Sequence, residues 1–343
     1  MQRNTYLDYV KGILILLVTI GHAIQFLINQ NKGFWSDNFF KFIYIFHMPL
    51  FMSLAGYLSY SSINKLPFLS LVWLRIKSYV LPIFAWSLLC KLIILFTNET
   101  MSINAFIIGF IKDALNSYWF LWALFGSLVL TAIVHSITKY RTITLLIIFL
   151  LLLLLPDISH VPLFKYMFPF FLAGFYLASL DVRYINNNKI FMLTFLTGIV
   201  SVICYFWWDD NTYIYVSKMS LTSENIPVIV FRYFASAVFC MFVMGAVFFV
   251  KKKTPIKIKY GIEFFGKKSI YVYIIQGYIF SFLLLFSQFW THSLAFTLEG
   301  DIAAIVIGVL VAYLSLIIGD LLSKNNILAE VLFGKSKNNS VAQ

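Results

Sequence analysis

Charge is scarce in this chain. Of 343 residues only 12% are charged while 61% are hydrophobic, and the mean hydropathy is +0.87. A soluble domain with polar surface on all sides cannot be built from that balance. Acid is the rarer sign, with 14 acidic residues against 26 basic ones and a net charge of +12. In a soluble protein that excess points to nucleic acid; here much of it lies in short loops between apolar runs, as orientation signals do, so nucleic-acid binding is discounted. Cysteine is almost missing. Cys90, Cys204 and Cys240 stand far apart inside apolar stretches, so they read as small buried hydrophobes, not as a disulfide or metal framework. No metal site is expected. Internal repeats, low-complexity tracts and Gly/Ser-rich or Pro-rich linkers are also absent, which leaves one membrane domain over 1–323 and a frayed cytoplasmic tail over 324–343. The first apolar run has no small-residue cleavage site and is interrupted by Gly21-His22, so it reads as a retained span and not as a signal peptide.

What is present is a series of long apolar runs. A span needs about 20 residues to cross roughly 30 Å of hydrocarbon. Ten runs qualify, at about 12–29, 39–60, 78–97, 119–137, 142–155, 164–181, 190–208, 228–250, 268–290 and 301–323, the fifth being short. Basic residues in the even-numbered connections number fourteen, including Lys65, Arg75, Lys77 and the cluster from Lys251 to Lys268; the odd ones hold only Lys32, Lys112, Lys165 and Lys218. That alternation predicts an all-α, polytopic membrane helix bundle of about ten transmembrane helices with both termini in the cytoplasm. Residues 61–77 and 101–117 are neither spanning nor freely looped, and read as interfacial segments.

Ionisable groups inside spans are costly and mark sites or pathways. The first run carries Asp8, Lys11 and His22. At about 100° per residue, Lys11 falls within roughly 20° of His22 and Asp8 within roughly 40°, so one helix face holds all three. Lys11 and His22 are also about 16 Å apart along the axis, a distance that suits a long, thin, phosphorylated carrier such as an acyl-coenzyme A. His47, just before Pro49 in the second run, falls in the same midplane layer as His22, as does Gln276 in the ninth; each also suits plain helix bridging. Arg75 and Lys77 lie at the cytoplasmic start of the third span. They serve as topology signals or, with Lys11, as a phosphate cradle. Trp119 and Trp122 stand one turn apart at an outer helix end, where aromatic belts are common and sugar stacking is the sharper alternative. Arg232, near the outer end of the eighth span, is expected to pair with Asp209 or Asp210 or to contact an acceptor.

The stretches Asp8-Tyr-Val-Lys-Gly through Gly21-His22, Phe46-His-Met-Pro-Leu-Phe-Met-Ser-Leu-Ala-Gly56, the basic stretch ending at Pro82, Tyr118-Trp-Phe-Leu-Trp122, Phe170-Phe-Leu-Ala-Gly174 and Phe265-Gly-Lys-Lys-Ser-Ile-Tyr271 together resemble the acyltransferase 3 family of bacterial membrane acyltransferases, in particular its fucose 4-O-acetylase-like branch. The resemblance runs over most of the chain, and its first two stretches are the specific ones. It implies a ten-helix bundle in the cell membrane that takes an acyl group, acetyl in the first instance, from cytoplasmic acetyl-CoA. The acceptor it implies is a hydroxyl of a surface glycan or a lipid-linked sugar. Many members carry arginine at the position of Lys11 and histidine at that of Gln276; the first change keeps the charge and loses the bidentate fork. In the reading this supports, His22 is general base or acyl-carrying nucleophile, with Asp8 and His47 beside it in the catalytic set. Lys11, Arg75 and Lys77 bind the donor, and Trp119, Trp122, Arg232 and Gln276 the acceptor. The alternative from another class is an exporter or flippase of a surface polysaccharide or lipid-linked sugar. The lack of paired, broken half-helices weighs against it, and the lack of an appended effector weighs against a sensor.

Overall fold

The computed structural model describes residues 4–30, 32–97, 102–139, 141–180, 186–286 and 294–335. Among them there is no strand. The helices are, in order, α1 (Thr5–Ala23), α2 (Asn38–Lys65), α3 (Phe68–Arg75), α4 (Leu81–Thr97), α5 (Ile103–Asn116), α6 (Trp119–Ile137), α7 (Arg141–Leu153), α8 (Val161–Leu177), α9 (Asn187–Trp207), α10 (Ile214–Ser217), α11 (Asn225–Lys253), α12 (Ile256–Lys267), α13 (Ser269–Leu284), α14 (Leu298–Leu322) and α15 (Asn326–Phe333). Two π-helical turns interrupt the pattern, Ile24–Ile28 after α1 and Ile76–Val80 between α3 and α4.

The protein is a polytopic, all-helical membrane bundle. Seven helical stretches among the described residues are long and apolar enough to cross a membrane, from Thr5–Ile28 to Leu298–Leu322, and α7, α8 and α13 are shorter apolar helices. All ten apolar runs of the sequence fall on these ten elements. The expected interfacial stretch 101–117 is α5, whereas 61–77 is divided between the end of α2, α3 and the second π-helical turn.

The chain packs as two compact units, Met1–Leu54 with Leu180–Leu321, and Ala55–Ser179 with Leu322–Gln343. In the first unit α1 is central. The stretch Thr5–Ile28 buries 61% of its most apolar window, against 17% for α9, which presents most of its surface outward. The close partner of α1 is α12, and glycine makes the approach possible from both sides. A β-carbon on Gly12 would lie 1.9 Å from the Ile262 carbonyl oxygen, and one on Gly266 would lie 1.8 Å from that of Asp8. Any side chain there would force the two helices apart. The lysine cluster near α12, read from sequence as an orientation signal, is partly internal: Lys251 is buried and pairs with Glu263 at 2.9 Å and with the Thr5 hydroxyl at 3.1 Å.

Pro49 sits inside α2. Lacking an N–H, it leaves the Ile45 carbonyl without its usual helical donor. In a membrane span that oxygen needs another partner, and the Ser236 hydroxyl of α11 donates to it at 2.6 Å. The neighbouring Phe46 carbonyl receives the Cys240 thiol at 3.7 Å. Thus the turn that carries His47 is held by side chains of α11 as well as by its own backbone.

In the second unit α15 corrects the expectation of a frayed tail. It is capped by Asn325 and closed by Gly334 in the left-handed region, and it packs on α4 and the second π-helical turn. Trp86 donates its indole N–H to the Leu332 carbonyl at 2.9 Å, and Lys77 pairs with Glu330 at 3.2 Å.

Candidate functional site

His22 is the next-to-last residue of α1, just before the chain widens into the turn Ile24–Ile28. Its Nδ1 lies 3.1 Å from Gln276 Oε1 of α13, within the first unit. Because an amide oxygen only accepts, that contact places the proton on Nδ1 and leaves a lone pair on Nε2. Phe26 and Phe280 stand beside the imidazole, with ring centroids at 5.3 and 6.1 Å. The imidazole is thus oriented by one amide in an apolar surround.

His47 repeats the logic on α2. It is buried, its Nδ1 donates to the Ile43 carbonyl at 2.9 Å, and its Nε2 therefore also carries the lone pair. The Tyr44 ring lies 4.5 Å from it. The same Tyr44 ring packs on α1 at Gly21, the residue before His22. The structure therefore joins His22 to Gln276 directly and links His47 to α1 through the Tyr44 ring.

Asp8 does not join them. Fourteen residues before His22 on one helix, it is about 21 Å away along the axis. Its buried carboxylate instead forms an ion pair with Lys11 at 2.9 Å. The shared stripe read from helical periodicity is real, but its two ends do different work.

Arg75 ends α3 and Lys77 lies in the π-helical turn that follows. Arg75 Nη2 donates to the Ser62 hydroxyl at 2.9 Å, and its buried Nε has no hydrogen-bond acceptor among the described residues. Lys77 meets the carboxylate of Glu330 and lies over the Trp73 ring at 5.6 Å. Departures from α-helical geometry of this type recur at functional sites. No periodicity argument signals them, and they were not foreseen.

Of the remaining candidates, Trp122 and Arg232 make ties within the fold. Trp122 donates its indole N–H to the Ala114 carbonyl at 2.9 Å, joining α6 to α5, and Trp119 is half-buried against Phe120. Arg232 is wholly buried, with Nε donating to the Thr212 carbonyl at 2.5 Å, Nη1 to that of Lys218 at 2.7 Å, and Nη2 to the Ser217 hydroxyl. It pins the segment before α11 to that helix. The expectation that Arg232 faces an acceptor is corrected by this burial. Asp210 accepts from Ser36 at 2.9 Å, and Asp209 caps its own turn through Thr212. Among the described residues no cluster of His, Cys, Asp and Glu is placed to hold a metal ion.

Comparison with known proteins bears on this geometry. A family model described as "Acyltransferase domain" matches residues 4–323. The chain is 29% identical over 332 residues to the nodulation protein NolL of Sinorhizobium fredii, covering 91% of this chain and 88% of that protein. To the nodulation protein NolL of Mesorhizobium japonicum it is 28% identical over 350 residues, covering 97% and 91%. No solved structure matches it.

Proposed function

The chain belongs to the acyltransferase 3 family, and on that premise we propose that this membrane acyltransferase moves an acyl group, acetyl in the first instance, from cytoplasmic acetyl-CoA to a hydroxyl of a surface glycan or its lipid-linked precursor. The observation that carries the reading is the His22–Gln276 contact, which leaves His22 Nε2 as a bare base in an apolar surround. In the proposed reaction Nε2 takes the proton of the acceptor hydroxyl as its oxygen attacks the thioester carbon. When the C–S bond breaks, the imidazolium returns that proton to the thiolate. Gln276 positions the ring and holds its tautomer, and His47 presents the same Nε2 geometry on the proton path.

For the donor, Lys11 and, separately, Arg75 with Lys77 are the cations assigned to the phosphates. The unfilled Arg75 Nε supports this, since a guanidinium with a spare buried donor is ready for an anionic oxygen. The alternating basic loops support ten spans with both termini in the cytoplasm of a cell whose plasma membrane holds the protein.

The test compares His22→Gln with His47→Gln and the unaltered protein at equal membrane abundance, reading the acyl ester on the acceptor glycan. Loss of a general base costs about 10² to 10⁴ in rate. Normal ester content with His22→Gln would overturn the reading. Loss of the ester with glycan still at the surface separates acyl transfer from export, because a failed exporter leaves the glycan inside.

A further inference from the structure

Tyr44 belongs to α2, one turn before His47 and within the same unit as His22 and Gln276. Its ring is firmly placed. It stacks on Phe40 at a centroid distance of 3.7 Å, with 20° between planes, and meets the His47 ring at 4.5 Å. It also rests on α1 at Gly21, the residue before His22. A β-carbon at Gly21 would lie 2.8 Å from Tyr44 Cε2, the ring carbon next to the one that bears the hydroxyl. The absence of a side chain at position 21 therefore lets the ring edge next to the hydroxyl pack on α1 at the residue before His22.

The polar side chains around it have found partners inside the protein. Thr19 donates to the Leu16 carbonyl at 2.8 Å, Ser236 to Ile45, His47 to Ile43, and His22 contacts Gln276. The Tyr44 hydroxyl forms no hydrogen bond with any described residue. Tyr44 is only part-buried, so its hydroxyl is open to a bound molecule, and phenylalanine would keep the same ring contacts without it. A rigid, unpartnered donor beside a base is what a developing negative charge on oxygen requires.

We propose that Tyr44 is a further catalytic residue, whose O–H donates a hydrogen bond to the acyl carbonyl oxygen of the thioester and holds the oxyanion formed during transfer. The proposal rests on the acyl-transfer reading of His22. The acceptor oxygen bonds to the carbonyl carbon, its proton passes to His22 Nε2, and the pair of electrons of the carbonyl π bond moves to the oxygen that Tyr44 holds. On collapse the C–S bond breaks with its electrons on sulfur, and the imidazolium proton goes to the thiolate. Ester and free thiol are the products, and Tyr44 keeps its proton throughout.

The experiment uses full-length protein in membranes, with labelled acetyl-CoA as donor and, as acceptor, membranes of the source cells lacking this gene. Tyr44→Phe is expected to lower kcat by about 10² to 10³, the usual loss of one oxyanion donor, with KM for acetyl-CoA and the melting temperature unchanged. Wild-type kcat would overturn the proposal, as would a loss of activity that comes with a lowered melting temperature. Should Tyr44→Phe not accumulate, 3-fluorotyrosine at position 44, a stronger donor of nearly the same shape, is measured in its place. A raised kcat supports the role and an unchanged kcat overturns it. His22→Gln is run alongside: full activity in that variant sinks the acyl-transfer reading itself, whereas an inactive His22→Gln beside a fully active Tyr44→Phe sinks only the role of Tyr44.

Discussion

His22 and Arg75 each stand at the entry to a π-helical turn, yet the protein surrounds them differently. Around His22 it places two phenylalanine rings and an amide, with no carboxylate against the imidazole among the described residues. Around Arg75 and Lys77 it places a serine hydroxyl, the Glu330 carboxylate and the rings of Tyr79 and Trp73, leaving one guanidinium N–H unused. The first environment offers the imidazole one fixed hydrogen-bond partner and apolar walls. The second keeps fixed cations whose present partners are replaceable by other anionic or oxygen ligands. On the proposed reading, one kind of backbone irregularity serves proton chemistry in one unit and anion binding in the other.

Substitutions can break this contrast, and the largest effect is expected at His22. His22→Gln should abolish transfer by the 10² to 10⁴ of a lost general base while leaving acetyl-CoA binding to purified protein intact. If donor binding fell as well, the two regions would not divide the work as described. Next comes Arg75→Ala. Hydrogen bonds to charged groups contribute about 1.5–3 kcal/mol, so donor affinity should fall about 10-fold to 100-fold by calorimetry on purified protein, with little change in melting temperature. Unchanged affinity would return Arg75 to the role of a topology signal.

A third variant, Ser236→Ala, addresses the support of the histidine layer. Removing the donor to the Ile45 carbonyl at Pro49 should destabilise the protein by about 1–3 kcal/mol, seen as a lower melting temperature in detergent, while the donor region is untouched. A neutral result would mean that the kinked turn of α2 holds His47 unaided. The smallest effect is expected from Glu330→Gln. The Lys77–Glu330 pair is more than a third exposed on both sides, so its loss should change stability by no more than about 1 kcal/mol. Freed from its carboxylate, Lys77 should bind donor phosphate slightly more tightly. Weaker donor binding in this variant would show that Glu330 orients Lys77 and does not compete for it.

Much of the fold is legible in the sequence. Mean hydropathy and ten apolar runs are enough for a membrane helix bundle, because a backbone in hydrocarbon must satisfy its own hydrogen bonds and an isolated segment can do so only as a helix. Local patterning also marked His22, His47 and Gln276, since polar groups stand out in apolar runs and periodicity counts their depth. Periodicity went too far with Asp8, because sharing a helix face is not sharing a site when the residues are about 21 Å apart. Rarity misled at Arg232: a buried arginine beside irregular backbone is as readily a clamp on carbonyls as a contact for a ligand.

The sequence by itself therefore determined the class of protein, the positions of its apolar helices and most of the residues with chemistry to offer. Tertiary structure alone decided which of them meet. That His22 turns Nδ1 to Gln276, that Ser236 takes the place of the N–H missing at Pro49, and that Tyr44 lies against Gly21 with an unmet hydroxyl are contacts between different helices. Local pattern sets which face a residue occupies; only packing sets what stands opposite it, because the partner's register depends on how close two helices approach, and here glycines at Gly12, Gly21 and Gly266 set that distance.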